Sequence, residues 1–470
     1  MKKTLPSLLL LIGLVFNINS QTTFSLAQTV SLSGSADPYA IATGDLDGDG
    51  NNDILFASSG NGTFSWLKND GTGNFITPAT TIGSGGYGYP NSVAIADVDG
   101  INGNDVILCA GDQVIWFPND GSGNFATENS VASFPSFGAS FIVVKDINGD
   151  STLDIAVSDY YTHQLVWVSN SGTAPHFNGT KNTIASSFTN VAGFDLGDID
   201  GDGDIDAVIS NAIGISASPN DSKIEVYYND GSEVFTADAN PVANNTKDYM
   251  WSVLIADVDG DTDMDILATD LFGNVSWYNR AGVIDGPATY SETPFTTSIA
   301  NPATIAFEDL DNDTLKDVVL SSGLGSGNAI VWFKNNGSGT FASETIIDAT
   351  QANTYTMALS DFDDDGDIDI TSAAYGNDTI KIFDNEKINL SVDESLIDKF
   401  NIFPNPTKNT LNFKVPFAES FKVSVYDILG KEVLHSTLQN SKSLDVSKLN
   451  NGIYILKFDD YNTNLKFVKK

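Results

Sequence analysis

A chain of 470 residues with 41% hydrophobic and 10% aromatic side chains has enough apolar mass for two or three domains, or for one large repeat array, and is not globally disordered. With 61 acidic against 23 basic residues, its formal charge of −38 argues against nucleic acid and anionic membrane surfaces as partners. Self-repulsion on that scale opposes a compact state unless counterions are built into the fold.

At the start of the chain, residues 1–20 read as a secretory signal peptide: Lys2 and Lys3, an apolar run from Leu8 to Phe16, then small or polar residues through Ser20. That run falls short of the roughly 20 residues a spanning helix needs, and no later segment is long and apolar enough to form a transmembrane segment. Cys109 is the single cysteine, which excludes an intramolecular disulfide. It follows a strand-like Val106-Ile-Leu run and reads as a buried, inert thiol.

The chain is organised around a nine-residue acidic loop, clearest in Asp198-Ile-Asp-Gly-Asp-Gly-Asp-Ile-Asp206. Strict alternation would favour a strand, but Gly201 and Gly203 favour a tight turn. Carboxylates about 4 Å apart repel by roughly 4 kcal/mol per pair at an effective dielectric near 20. A hard divalent cation with oxygen ligands reverses that repulsion, and calcium is the usual choice. The pattern starts at Asp45, Asp97, Asp146, Asp198, Asp257, Asp309 and Asp361, at intervals of 52, 49, 52, 59, 52 and 52 residues. These loops hold 30 of the 61 acidic residues, so the charge is largely a metal-site charge.

A period near 50 demands a repeat architecture. Each loop lies between two short apolar runs, as in Ser92–Ala96 before the second loop and Asp53–Ala57 after the first. A third run carries Trp66, Trp116, Trp167, Trp277 or Trp332 at a fixed point of the repeat, and reads as a core wedge between units. A glycine turn such as Asn69-Asp-Gly-Thr-Gly-Asn-Phe75 leads to a fourth, more polar strand. Four strands per unit without helical periodicity make a propeller blade, and seven close a ring. The seventh unit lacks its own fourth strand, and Phe24–Ser31 reads as that missing strand supplied from the N-terminus.

These units, over about residues 24–386, resemble FG-GAP or VCBS-like repeats of seven-bladed propellers. The resemblance implies side-chain ligands at loop positions one, three, five and nine, and a backbone carbonyl at seven. Carried over, the first site uses Asp45, Asp47, Asp49 and Asp53, and the third Asp146, Asn148, Asp150 and Asp154. The fourth uses Asp198, Asp200, Asp202 and Asp206, and the fifth Asp257, Asp259, Asp261 and Asp265. The sixth uses Asp309, Asp311, Asp313 and Asp317, and the seventh Asp361, Asp363, Asp365 and Asp369. Ile101 replaces the fifth-position acid of the second loop, leaving Asp97, Asp99 and Asp105, so that site is expected to be weak or empty. Six or seven calcium ions are therefore expected.

Composition changes after Glu386. Residues 21–386 carry 9 basic and 52 acidic side chains, whereas 387–470 carry 12 and 9. Residues 387–398 read as a linker, and alternating runs such as Phe421-Lys-Val-Ser-Val-Tyr predict a small β-sandwich over 399–470. Phe403-Pro-Asn-Pro406, Val425-Tyr-Asp-Ile-Leu-Gly-Lys-Glu-Val433, Asn451-Gly-Ile-Tyr-Ile-Leu-Lys457 and the basic end resemble the type A C-terminal sorting domain of the type IX secretion system of Bacteroidetes. That implies the secretion machinery as partner, export through the periplasm and across the outer membrane, removal of the domain, and release or surface attachment.

The whole is expected to be all-β, a seven-bladed β-propeller over 21–386 with a C-terminal β-sandwich domain. Opposite the acidic loops, the connections that lead into each first strand and those that join second to third strands carry aromatics outside the core register. Tyr87, Tyr89, Tyr160, Tyr161, Trp251 and Tyr355 form the predicted ligand set, with Tyr39 and Tyr375 on the same face. Such rings suit stacking on glycans or a protein surface. The chain has three histidines and one arginine, with no Ser-His-Asp, zinc or phosphate-loop pattern, so a secreted binding or adhesion module is expected rather than an enzyme. The alternative is a calcium-dependent polysaccharide lyase or hydrolase working through paired carboxylates.

Overall fold

The computed structural model describes residues 22–387 and 401–470, apart from residues 35, 85–87, 89, 136–137, 189–190, 212–221, 248–249, 271, 282–287, 300, 324–328, 415–420, 429, 439–442 and 459–462. The predicted signal peptide, and the predicted linker beyond residue 387, lie outside the described residues. The chain divides into two compact units, one of them Phe24–Asn385 and the other including Glu386–Lys470.

In the first unit the described residues form seven antiparallel sheets. The first blade runs outward through Pro38–Gly44, Asp53–Ser58, Thr63–Leu67 and Thr80–Ser84. Five more repeat this order, the fourth gaining an extra strand, Ala243–Lys247, beside its third. In the seventh blade the outer strand is Thr22–Ser31, laid against Thr379–Lys387. The N-terminal strand thus completes the last blade, as the repeat arithmetic predicts. Each inner strand lies beside the next, and that of the seventh blade lies beside that of the first, so the ring is closed.

The second strand of every blade is buried along its whole length, because it has a neighbouring blade on both faces. These strands therefore lack the in-and-out alternation of a one-sided strand, as in Ile54-Leu-Phe-Ala and Val106-Ile-Leu-Cys. Between successive blades lies one apolar cluster per seam, for instance Leu55, Trp66, Val93 and Leu108 between the first and second. The five regularly spaced tryptophans are all buried in such seams. Gly339, in the turn of the sixth blade, lies on Trp277 of the fifth; a Cβ there would collide with the indole. Phe24 meets Trp332 edge-on at 6.2 Å, as Phe177 meets Trp116 at 6.4 Å, so Phe24 fills the seam position that Phe177 fills ahead of the third blade's outer strand. Cys109 is buried, and burial pushes its thiol pKa up.

The second unit has a sheet of Asn401–Phe403, Thr410–Lys414 and Ser443–Asp445 and a four-stranded sheet ordered Glu432–Leu438, Phe421–Asp427, Gly452–Phe458, Thr463–Lys469. Phe413 of the first packs edge-on against Phe458 of the second at 5.8 Å, within a shared core that includes Val423, Leu456 and Phe467. It is the expected sandwich. Among the described residues no helix is long and apolar enough to cross a membrane.

Candidate metal centres

Each acidic loop closes the hairpin between the inner and second strands, and its ninth residue opens the second strand. Gly44 pairs with Asp53, Gly197 with Asp206 and Ser360 with Asp369. Positions four and six are left-handed in all seven loops. Glycine fills both in the fourth loop (φ 81° and 99°), while the fifth and sixth force Thr262 and Thr314 to φ 80° and 78° at position six. The chain winds around the first carboxylate: Asp198 accepts from the Gly201 and Gly203 amides at 2.7 and 3.0 Å. The fifth-position acids turn one oxygen inward on the loop, as Asp202 does in accepting from the Asp204 amide at 2.8 Å.

The ninth-position acids are all buried. Asp206 accepts from the Ile199 amide at 2.9 Å and the Asn229 amide at 2.8 Å, and its six counterparts accept the same pair of bonds. Burial pushes these carboxyls up from the ordinary 3.8, to about 7 at Asp53, Asp105, Asp206 and Asp369 and about 6 at Asp154, Asp265 and Asp317.

Side-chain oxygens of the first, third and ninth residues come within 4.8 Å of one another in Asp45/Asp47/Asp53, Asp97/Asp99/Asp105, Asp198/Asp200/Asp206, Asp257/Asp259/Asp265 and Asp309/Asp311/Asp317. Asp47 Oδ1, Asp200 Oδ1, Asp311 Oδ1 and Asp361 Oδ1 are buried without a hydrogen-bond partner. An ionised carboxylate can only accept, so such an oxygen needs a donor or a cation. Convergent, hard, partnerless oxygens fit calcium. In the second loop the triad is assembled in spite of Ile101, whose side chain is exposed and whose amide donates to Asp97 and Asp99 at 3.2 and 2.8 Å. What that loop lacks is the fifth-position acid. In the third, Asn148 and Asp150 bond to each other, Nδ2 to Oδ2 at 3.2 Å.

Sequence reasoning missed an inter-blade tie. In six blades an asparagine at the end of the third strand sends Nδ2 to the second residue of the previous blade's loop: Asn119 to the Leu46 carbonyl at 2.7 Å, Asn170 to Val98 at 2.7 Å, Asn385 to Leu310 at 2.8 Å. Asn69 crosses the closure to Phe362 at 2.7 Å. Among the described residues, six of the seven seams between adjacent acidic loops are thus hydrogen-bonded through an asparagine. The fifth blade has Arg280 instead, buried, its guanidinium 4.0 Å from Asp263 and its charge acting on Asp200 of the neighbouring loop. The signal was present in the repeated Asn-Asp-Gly, but a turn alone accounts for those residues equally well.

On the opposite face the inner strands of the first six blades begin with a register shift. Tyr39 and Trp251 fall at these shifts, between Pro38 and Ala40 and between Met250 and Ser252, where the strand is locally kinked and both line the channel. Trp251, Tyr355 and Tyr39 line one cavity of about 220 Å³ with Asn91, Phe141 and Thr304. Tyr39, Tyr355 and Tyr375 form a ring cluster with centroids 4.8, 5.8 and 6.4 Å apart. Burial, with the two other tyrosines, pushes Tyr39 up to about 12. Tyr160 and Tyr161 are exposed at the rim, 5.7 Å apart, and do not line that cavity. Tyr87 and Tyr89 lie outside the described residues. A second cavity of about 740 Å³ opens by the fifth metal loop, lined by Leu254, Asp257, Met264, Phe307 and Leu359.

The charge on the ninth-position acids gives a signed pH dependence. A raised native pKa means that the metal-free native state holds its protons more tightly than the unfolded chain. The contribution of these acids to metal-free stability is therefore greatest below about pH 4 and is lost as pH rises through 6–7. Calcium needs the ionised form, so its stabilising effect grows over the same window. The gap between melting temperatures with calcium and with EDTA is expected to be wide at pH 7.5 and narrow at pH 5.5; a wider gap at pH 5.5 contradicts this.

Residues 401–470 match the profile of the secretion system C-terminal sorting domain. Residues 45–100, 146–209, 214–268, 257–320 and 309–372 match that of the FG-GAP-like repeat, together more than half of the chain. No curated protein matches. Among solved structures, one from a study of specific recognition of non-reducing terminal N-acetylglucosamine by an Agrocybe aegerita lectin is 19% identical, covers 67% of this chain and 80% of its own, and has a TM-score of 0.47. The chain belongs to the FG-GAP-like repeat family, as a propeller of four-stranded blades, and its type IX sorting domain marks it for secretion or the cell surface.

Proposed function

We propose that residues 21–386 act outside the cell as a calcium-stabilised binding module, with residues 1–20 directing passage to the periplasm and residues 399–470 serving as a sorting domain removed on export. The observation that carries the calcium reading is the buried, partnerless oxygen of the third-position acid, found in Asp47, Asp200 and Asp311. Calcium would be held by positions one, three, five and nine of each loop. Its chemistry there is neutralisation of clustered carboxylates, with no reaction required of it. The chain's own part is to fix the ligands: left-handed turns wrap the first acid, and two amides hold the ninth.

Ligand binding is placed at the channel mouth away from the metal loops. Trp251, Tyr355 and Tyr39 line one cavity, with Tyr375 packed against the two tyrosines, an arrangement suited to a neutral oligosaccharide. Tyr160 and Tyr161 extend the surface at the rim. Stacked rings contribute about 0.5–1.5 kcal/mol each beyond area, so several must act together and single-site affinity is weak. A glycan array with the purified protein identifies the ligand. Trp251→Ala and Tyr355→Ala are each expected to weaken binding about three- to tenfold, as such a contribution requires, with calcium content unchanged. Binding that is unaffected by either substitution moves the site elsewhere. Release of unsaturated products from an acidic polysaccharide replaces this reading with that of a lyase.

A further inference from the structure

In three blades the residue just before the bridging position, which is an asparagine in two of them and Arg280 in the fifth, bonds the acidic loop of its own blade. In the fifth blade it is Asn279, whose Nδ2 donates to Asp259, the third loop residue, at 2.8 Å. In the first blade it is Lys68, whose ammonium bonds Asp47 and lies 2.8 Å from Asp49 Oδ2. In the sixth it is Lys334, whose ammonium bonds Asp311 and lies 2.6 Å from Asp313 Oδ2. Each amine thus engages the third and fifth carboxylates, two of the four side chains assigned to the ion. The other blades place Pro118, Ser169 and Tyr228 there, and the seventh places Asp384, which adds its charge to those of Asp363 and Asp369.

We propose that Lys68 and Lys334 are tethered cations that compete with calcium in the first and sixth loops and take its place when the ion leaves. The proposal rests on the calcium reading of the loops. An ammonium carries one positive charge to the ion's two and brings donors for the same acceptors, so it neutralises part of the cluster without the metal. Bound calcium and an inserted ammonium repel, so the lysine must swing out as the ion enters. Lys68 and Lys334 side chains are 35% and 24% exposed, which leaves each a path to solvent.

The two lysines lie in the blades on either side of the seventh, the one completed by the N-terminal strand. That blade is tied to both neighbours through its loop: Asn69 donates to Phe362, Asn385 donates to Leu310, and Asn312 of the sixth loop donates to Asp367 of the seventh. The built-in charges therefore stand where the ring is joined, and they hold that seam when calcium is scarce. The first and sixth sites are accordingly the weak, readily emptied ones among the complete loops.

The test is a calcium titration by calorimetry of the metal-stripped full chain and of Lys68→Met, Lys334→Met and the double variant, with melting curves in EDTA and in saturating calcium. In the wild type, two of the complete sites should bind at least tenfold more weakly than the other four. The double variant should move those two into the tight class, and should lose melting temperature in EDTA but not in calcium. Lys68→Arg and Lys334→Arg keep the charge and should retain the wild-type pattern. Full calcium binding with affinities unchanged in the methionine variants overturns the lysine proposal alone. Failure of the wild type to bind calcium overturns the metal reading and this proposal with it.

Discussion

Asp206→Ala is expected to destabilise the chain by about 3–5 kcal/mol, and most of that loss should persist in EDTA. Removing this carboxylate leaves the Ile199 and Asn229 amides buried without an acceptor, each costing about 1–3 kcal/mol. Asn229 is also the residue whose side chain bridges to the Ile147 carbonyl of the third blade's loop, at 3.4 Å, so the damage spreads across a seam. Calcium content should fall by one ion. Asp202→Ala gives the contrast. Its side chain accepts from the exposed Asp204 amide, so it should cost little in EDTA and show its effect with calcium present. Denaturant melts of both variants in each condition check this, and equal losses in EDTA contradict it.

Starting the chain at Leu32, without Thr22–Ser31, should have the other large effect: loss of the cooperative transition, or aggregation. The deletion bares the edge of Thr379–Lys387, an unpaired row of amides and carbonyls that templates association between chains. It also removes Phe24 from Trp332, and Gln28, which bonds the Phe75 carbonyl at 2.9 Å and its amide at 2.8 Å. That glutamine fastens the last blade to the first. A truncated chain that stays monomeric and melts as the full one does would mean that the ring closes without this strand.

The repeat made much of this legible. The acidic loop recurs about every 50 residues, so strand order, buried tryptophans and the N-terminal completion of the seventh blade all follow from one period. Side-chain contacts between repeats carry no such signal. The asparagine ties join residues more than 70 positions apart, and Lys68 resembles any lysine at a strand end until Asp47 and Asp49 are seen around it. Tyr39 lines the cavity although the sequence places it only on the same face as the predicted ligand set. The register shift at which it falls depends on pairing with the second strand, which its own neighbours in sequence do not reveal. Tyr160 and Tyr161 lie on the turn between second and third strands, as expected, but are exposed there and do not reach the cavity that Trp251 lines.

Calcium in the loops is the claim on which stability, pH response and the lysine proposal all depend. The most direct measurement is elemental analysis of the secreted protein after exhaustive dialysis, paired with its melting curve before and after EDTA. Six or seven calcium ions per chain are predicted, with a melting temperature that falls on chelation. Each site can contribute about 2.7 kcal/mol at a hundredfold excess of calcium over its dissociation constant. Less than one ion per chain, with a melting curve that EDTA leaves unchanged even after calcium is added back in excess, would contradict the account.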